Sequence, residues 1–389
     1  MIFSTFPYTL LQLQIVHMKF VVSQDLLQKK LLIVQKALSA KAQLPILATI
    51  LIEAKEKNLI LNTTDLEIGI QTQLAASIEK EGKTTIPART FIELISSLPN
   101  EEIIIEEENG VLQIQSKKTK SSFQTMSADD FPKLYEEKGE RVATVSAQEM
   151  KEDIQSVVFA ATHDTQRPAL SGVLVKREEN GFLFVATDGY RLSLRHHTAT
   201  SKEQSTVAVG LSWVIPARVF REITSLKEDV EEVGMYLSSA TNQVIFELSE
   251  TLLIGRTIEA EFPNYEKIIP SDFSTRAFID REEMLKAVKL CAIFARESAN
   301  IINLSLRKDK IIVSSQSPSV GENSVEVESE LSGEENEIAF NARYLLEVLS
   351  NLEEKELWFE MTGPLNPGVF KIKDNLSFLH LIMPIRVQQ

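Results

Sequence analysis

Few groups in this chain have chemistry to offer, and their spacing decides what they could do. Thr187-Asp188-Gly189-Tyr190-Arg191 sets a carboxylate beside a hydroxyl and a guanidinium, a combination a hydrolase or transferase could use. An Asp-Gly pair after a strand is more often a turn whose carboxylate caps neighbouring amides. Thr64-Asp65 repeats the start of the motif 123 residues earlier without the glycine, which favours a structural role in both places. The five histidines, His17, His163, His196, His197 and His380, show no metal-ligand spacing, and His196-His197 reads as an exposed strand-end pair. The single Cys291 excludes an intramolecular disulfide framework and a Cys-rich zinc site. There is no Gly-rich phosphate loop, nucleophile elbow or HExxH. No catalytic centre, cofactor or metal is expected.

The elements that would position these groups occur in triplicate, and internal repetition outranks any single motif. Ile86-Pro87-Ala88-Arg89-Thr90-Phe91 recurs as Ile215-Pro216-Ala217-Arg218-Val219-Phe220, and more loosely as Phe340-Asn341-Ala342-Arg343-Tyr344-Leu345. Each copy opens a short helical pattern followed by acidic residues: Glu101-Glu102, Glu228-Asp229 and Glu353-Glu354. A second helix repeats upstream. With Ser23, Ser146 and Asp280 as N-caps, Glu149 and Glu283 fall where a capping box places them. The residues 4, 8, 11 and 15 positions on are Leu27, Leu31, Val34, Leu38; Met150, Ile154, Val157, Ala161; and Met284, Val288, Cys291, Ala295. All are apolar or small, which is the stripe of an amphipathic helix, and Cys291 is thereby a core residue and chemically inert.

Alternating strands lie between the helices, at Leu47 to Ala54, Leu59 to Thr63, Val173 to Lys176 and Phe182 to Thr187, joined by turns such as Glu179-Asn180-Gly181. Each unit then holds two helices and roughly eight short strands, an α+β architecture with helices on one face of mostly antiparallel sheet. The expected domains are 18–138, 139–272 and 273–389. Residues 1–17, apolar and without Lys, Arg, Asp or Glu, read as a dispensable N-terminal extension, disordered, with no clear signal-peptide pattern. No stretch is long and apolar enough to span a membrane, so a cytoplasmic location is expected. At 389 residues, 43% hydrophobic and 25% charged, the chain has the balance of an ordinary globular protein.

The formal charge of −14 excludes a generic basic nucleic-acid coat, so any DNA function needs cations segregated onto one surface. The helices carry Lys29, Lys30, Lys36, Arg89, Arg218, Arg221, Lys286, Lys289, Arg296 and Arg343, whereas the glutamate clusters follow the helices. Three such units form an arc, and two chains head to tail would close a six-unit ring with a basic lining. The helix after Ser146 departs from that pattern, carrying Glu149, Glu152 and Asp153 against Lys151.

From Met18 to Val387 the chain resembles the bacterial DNA polymerase III β subunit family, the sliding clamps. Leu44-Pro45-Ile46-Leu47, Thr64-Asp65-Leu66-Glu67, Gln166-Arg167-Pro168-Ala169-Leu170-Ser171-Gly172 and Ala186-Thr187-Asp188-Gly189-Tyr190-Arg191-Leu192 carry the likeness. So do Phe262-Pro263-Asn264-Tyr265, Phe340-Asn341 with Tyr344-Leu345, and Met383-Pro384-Ile385-Arg386-Val387, all in order. The resemblance implies a homodimeric ring that encircles duplex DNA without regard to sequence. It also implies tethering of the replicative polymerase, with the clamp loader, repair polymerases and other clamp-motif proteins as further partners.

It further implies a hydrophobic peptide groove between the second and third units. The matching positions are Leu170, Thr187, Gly189, Tyr190, Arg191 and Leu192, then Pro263, Lys267 and Ile268. Tyr344, Leu365, Pro367, Leu381, Ile382, Met383, Pro384 and Arg386 complete the wall. Apolar and aromatic walls with a few polar groups suit a short hydrophobic peptide. The resemblance also implies Lys41, Arg89, Arg167 and Arg218 as DNA-facing positions. Lys267 stands where some members carry arginine, and Asp164 where some relatives are uncharged. The rival from another class is a hydrolase or transferase using Asp188 and a nearby His or Arg; a third option is a monomeric three-unit scaffold that binds peptide alone. It would lack the basic helix face or a self-complementary end.

Overall fold

The computed structural model describes residues 18–39, 44–164, 166–199, 207–226 and 230–386. The N-terminal extension, Lys41, Glu228-Asp229 and Val387 to Gln389 lie outside the described residues. Six α-helices fall where the periodicity requires them: α1 (Gln24–Val34), α2 (Ala88–Ser97), α3 (Ala147–Val158), α4 (Ala217–Ser225), α5 (Arg281–Ala295) and α6 (Ala342–Asn351). The stripe residues are buried in all three copies apart from Leu38. There α1 ends at Val34 and tightens into the 3₁₀ turn Gln35–Ala37, so the fully buried Ala37 takes the slot.

The caps differ among the copies. Asp280 accepts hydrogen bonds from the N–H groups of Glu282 and Glu283, Ser146 accepts one from Glu149, and Ser23 makes no side-chain cap. Glu149 Oε2 is buried without a hydrogen-bond partner. Helices α2 and α4 enter from Pro87 and Pro216, whereas α6 enters from Asn341, whose side chain caps the Arg343 N–H. Of two expected strands, Leu47 to Ala54 starts two residues later, at Thr49, and Val173 to Lys176 one residue earlier, at Gly172. Pro45 and Pro168 fix φ and open the 3₁₀ turns Pro45–Ala48 and Pro168–Ser171, which lead directly into the strands Thr49–Lys55 and Gly172–Glu178.

The described residues pack into two compact units, one of 18–137 with 247–254 and the other of 138–246 with 255–386. In the first, α1 and α2 pack together. Its five-stranded antiparallel sheet runs Ser77–Lys80, Met18–Ser23, Glu102–Glu108, Val111–Gln115, Lys120–Gln124. A second layer orders Ile68–Ala75, Asn58–Thr64, Thr49–Lys55 and Gly82–Pro87.

In the second unit, two of the repeats share one sheet. Nine strands run Ser212–Pro216, Gly172–Glu178, Gly181–Thr187, Arg191–Thr198, Asn375–Ile382, Gly368–Ile372, Glu356–Met361, Thr275–Asp280, Leu331–Gly333. The junction pairs Arg191 with Ile382, Leu192 with Leu381 and Ser193 with His380, antiparallel. A four-stranded sheet orders Gly321–Glu328, Lys310–Ser317, Ile301–Leu306 and Asn336–Asn341.

A clasp also repeats. In each copy the chain beyond its last strand returns to the strand that precedes the second helix. Thr85 Oγ1 donates to Met126 O at 2.9 Å, Ile258 N donates to Val214 O at 2.8 Å, and Ile385 N donates to Ala339 O at 2.8 Å.

Two sequence expectations need correction. His197 is not exposed. It faces α3 from Arg191–Thr198 and its Nδ1 lies 2.7 Å from Asp153 Oδ2, whereas His196, on the opposite face, meets Glu178 at 2.8 Å. Asp153 therefore adds no acidity to the exposed face of α3, being buried between His197 and Arg195, whose Nε is 2.8 Å away.

Candidate functional site

Where the two repeats share their sheet, the turn before Arg191–Thr198 is wired by its own side chains. Thr187 Oγ1 donates to Arg191 O at 2.6 Å and accepts from Gly189 N at 3.1 Å. Asp188 Oδ1 accepts from the N–H groups of Tyr190 and Arg191 at 2.9 and 3.1 Å. Gly189 sits at φ +93°, in the left-handed region that glycine enters at least cost. Asp188 is therefore a capping residue.

Arg191 is only 3% exposed, and its guanidinium is fully engaged. Nε donates to Asp188 Oδ2 at 3.1 Å, Nη2 to Phe159 O at 2.5 Å, and Nη1 to Glu347 Oε2. It also stacks over the rings of Tyr344 and Phe159, 4.6 and 5.4 Å from their centroids. A buried cation needs such pairing, and arginine's planar fork suits several acceptors at once. Glu347 holds Arg343 as well, Nε to Oε1 at 2.7 Å, and that bond raises the Arg343 pKa. Burial, and next the Asp188 carboxylate, pushes the Tyr344 phenol up. Beneath lies His380, fully buried, its Nδ1 2.6 Å from Ser193 Oγ and its Nε2 without a partner; burial holds its pKa well below the ordinary value.

The groove positions divide into floor and wall. Thr187, Arg191, Leu192, Leu381 and Ile382 are buried, with Leu192 and Leu381 in one cluster with Leu174, Val185, Val369 and Tyr265. Tyr190, Ile268, Leu365 and Met383 are exposed apolar side chains, Tyr190 at 61% and Leu365 at 62%. Met383 N donates to Tyr190 O at 2.8 Å, which fixes these two residues side by side. Gly368 pairs with Ile382, so Pro367 adjoins the same junction, while Leu365 lies in the loop before it. Leu170, Tyr344 and Pro384 are half-buried, and Gly189, Lys267 and Arg386 are exposed. Pro263 lines a different cleft, with Trp213 and Phe262. Tyr190, Arg191, Tyr344, Arg343 and Arg167 border a cleft of about 280 Å³.

Of the basic positions, Arg89 on α2 is exposed and Arg218 on α4 half-buried. Arg167 belongs to the cleft: its Nη1 donates to Asp188 O at 3.1 Å and its Nε to Asp164 Oδ2 at 3.2 Å. Asp164 is thus neutralised by its neighbour. On α5, Lys286 and Lys289 are exposed, as is Arg296 at its C-cap.

Sequence reasoning missed Glu347 and Phe159, which hold Arg191 in place. The four-residue spacing of Arg343 and Glu347 on a helix was a readable signal for the first. Phe159, just past the end of α3, gave none. The exposed apolar wall and the sealed arginine suit binding of an apolar chain segment, and the one hydroxyl–imidazole contact here, Ser193 with His380, is fully buried.

Family descriptions for the DNA polymerase III beta subunit match residues 18–135 (N-terminal domain), 144–264 (central domain) and 266–386 (C-terminal domain). The chain is 29% identical over 379 residues to the beta sliding clamp of Synechococcus elongatus, covering 95% of this chain and 100% of that one. It is 30% identical over 382 residues to the beta sliding clamp of Bacillus subtilis, again covering 95% and 100%. The crystal structure of the DNA polymerase sliding clamp from Bacillus subtilis superposes with a TM-score of 0.89 at 28% identity over 96% of this chain and 100% of that one. The DNA polymerase III beta subunit of Thermotoga maritima gives 0.85 at 27%, over 95% and 100%.

Proposed function

The chain belongs to the DNA polymerase III beta subunit family, and we propose that two copies close head to tail into a ring around duplex DNA. It is a DNA polymerase processivity factor, a non-catalytic sliding clamp with DNA and polymerase as partners. The observation that carries this reading is the repeat itself: the same helix pair and clasp occur three times, over a length matched to solved clamps end to end. We take the three domains as 18–138, 139–272 and 273–389.

Closure needs two complementary ends. Lys120–Gln124 is an outer strand of its sheet and carries Lys120, with Lys117 and Lys118 just before it. Gly321–Glu328 is an outer strand of another and exposes Glu322, Glu326 and Glu328. Helix α5 packs against that strand and leaves Leu290 and Ile293 exposed, at 49% and 56%. An open edge of opposite charge with an apolar pair beside it favours a sheet continued across a chain boundary. The exposed cations Lys29, Arg89, Lys286, Lys289 and Arg296 then serve the duplex, with Arg218 beside them. DNA is held by enclosure, with sequence-independent phosphate contacts.

The wall of Tyr190, Ile268, Leu365 and Met383 receives the apolar side chains of a polymerase peptide. The clamp loader and repair polymerases with like motifs compete for it. No described helix is long and apolar enough to cross a membrane, and the cytoplasm is the compartment we assign.

Retention on DNA tests enclosure. A loaded ring remains on nicked circular DNA and slides off linear DNA; equal retention on both means ordinary adhesion. Ile293→Lys separates the ring from a monomeric scaffold. The wild type sediments at twice 43.7 kDa and the variant near 43.7 kDa. A wild type that stays at the lower mass at micromolar concentration overturns the dimer.

A further inference from the structure

A second cleft, of about 580 Å³, opens between the strand Ser212–Pro216 and the segment 257–266. It shares only Pro263 with the groove positions above. Its floor is apolar: Leu174, Val214 and Tyr265 are each 8% exposed or less. Trp213 and Phe262, half-buried, form the walls. Three exposed carboxylates, Glu259, Glu261 and Glu266, stand on the rim, and among the described lining residues Lys176 is the single cation. The Tyr265 phenol is pushed up by burial and then by the carboxylates of Glu266 and Glu178, as expected where the local potential is negative.

The strand beside it is an outer edge, only partly covered. Val214 O accepts from Ile258 N at 2.8 Å, so this residue faces away from the paired strand Gly172–Glu178. The two-residue period of a strand turns the Ser212 N–H and C=O outward as well. Among the described residues no backbone bond from outside the sheet reaches either group. We propose that this cleft docks an extended basic segment of a partner protein, with one aliphatic side chain seated between Trp213 and Phe262 and flanking lysines or arginines on the three glutamates. Edge hydrogen bonds would fix its register, as in strand addition. Rim charge would speed capture and reject acidic segments.

The probe is a fluorescein-labelled eight-residue peptide of alternating lysine and leucine, titrated into the full chain at low salt. The chain has two tryptophans, so Trp358→Phe leaves Trp213 as the sole tryptophan reporter. Binding shifts Trp213 emission. The triple variant E259Q/E261Q/E266Q weakens affinity about tenfold, each exposed pair being worth roughly 0.2–1 kcal/mol. The control triple E102Q/E108Q/E136Q leaves it unchanged. N-methylating alternate backbone nitrogens of the peptide weakens it at least as much as the charge variant. Equal losses in both triples, an unmoved Trp213 emission, or indifference to N-methylation would each overturn the proposal.

Discussion

Between Asn58–Thr64 and Ile68–Ala75 the chain turns through Thr64-Asp65-Leu66-Glu67, and between Gly181–Thr187 and Arg191–Thr198 through Thr187-Asp188-Gly189-Tyr190. Four side-chain hydrogen bonds correspond. Thr64 Oγ1 donates to Ile68 O at 2.8 Å and accepts from Leu66 N at 3.0 Å, as Thr187 does with Arg191 and Gly189. Asp65 Oδ1 accepts from Glu67 N and Ile68 N, as Asp188 does from Tyr190 and Arg191. The third residue is left-handed in both, Leu66 at φ +80° and Gly189 at φ +93°. What differs is the residue that leaves the turn. Ile68 enters an apolar core, whereas Arg191 reaches Asp188, Phe159 and Glu347. The turn is common scaffold, and the side chain emerging from it makes one copy a site.

Exchanging that side chain gives the largest expected effect. Arg191→Ile installs the first turn's residue in the second, leaves Glu347 with Arg343 alone and Asp188 with its backbone donors alone, and frees the part-buried Phe159 carbonyl of its partner. Breaking this network and leaving its acceptors without the guanidinium costs roughly 1–3 kcal/mol. Urea unfolding should show that loss, and a polymerase-type peptide titrated by anisotropy should bind at least tenfold more weakly as Tyr190 and Tyr344 lose their support. A variant of wild-type stability and affinity would mean that the guanidinium is dispensable and the two turns are equivalent.

Acid should separate the two regions next. The first unit's described residues contain no histidine, while His380 lies buried under the second turn. Burial lowers its folded-state pKa well below the ordinary 6.5, with Arg191 a smaller cause. The neutral form is favoured on folding, so this contribution is complete above pH 6.5 and is lost as pH falls below it towards the folded value. Each pH unit of that descent removes up to about 1.4 kcal/mol. Hydrogen exchange between pH 6.5 and 5.5 should show faster opening around Ser193 and His380 than around Thr64 and Ile68. His380→Phe should remove the difference in slope. An unchanged slope would assign the acid sensitivity to other groups.

The helices, their buried stripes and the threefold repeat were legible because each is a local periodicity that burial enforces. The Thr-Asp turns were legible for the same reason, since their hydrogen bonds span only a few residues. Long-range consequences were not. Nothing in His196-His197 says which ring faces Asp153, because strand alternation fixes only that they point opposite ways. Likewise the charge of Asp153 read as part of an exposed acidic face, until Arg195 and His197 arrived from a strand some forty residues away. Arg191 could be placed in the groove through family resemblance, but its anchors, Phe159 and Glu347, lie 32 and 156 residues distant.

The smallest effect sharpens the comparison at its third position. Gly189→Ala meets no obstacle, since an added Cβ finds only Arg167 Nη1, 3.7 Å away. Its cost is that of a side chain in left-handed backbone, roughly 1 kcal/mol. Leu66→Gly relieves the same strain but increases the unfolded chain's freedom by roughly 0.5–1 kcal/mol, so the two changes nearly cancel. Calorimetry should therefore show a fall of about 2–4 °C for Gly189→Ala and almost none for Leu66→Gly. Should Leu66→Gly prove the more damaging, the half-exposed Leu66 side chain is itself holding the first turn, and the equivalence of the two turns at this position fails.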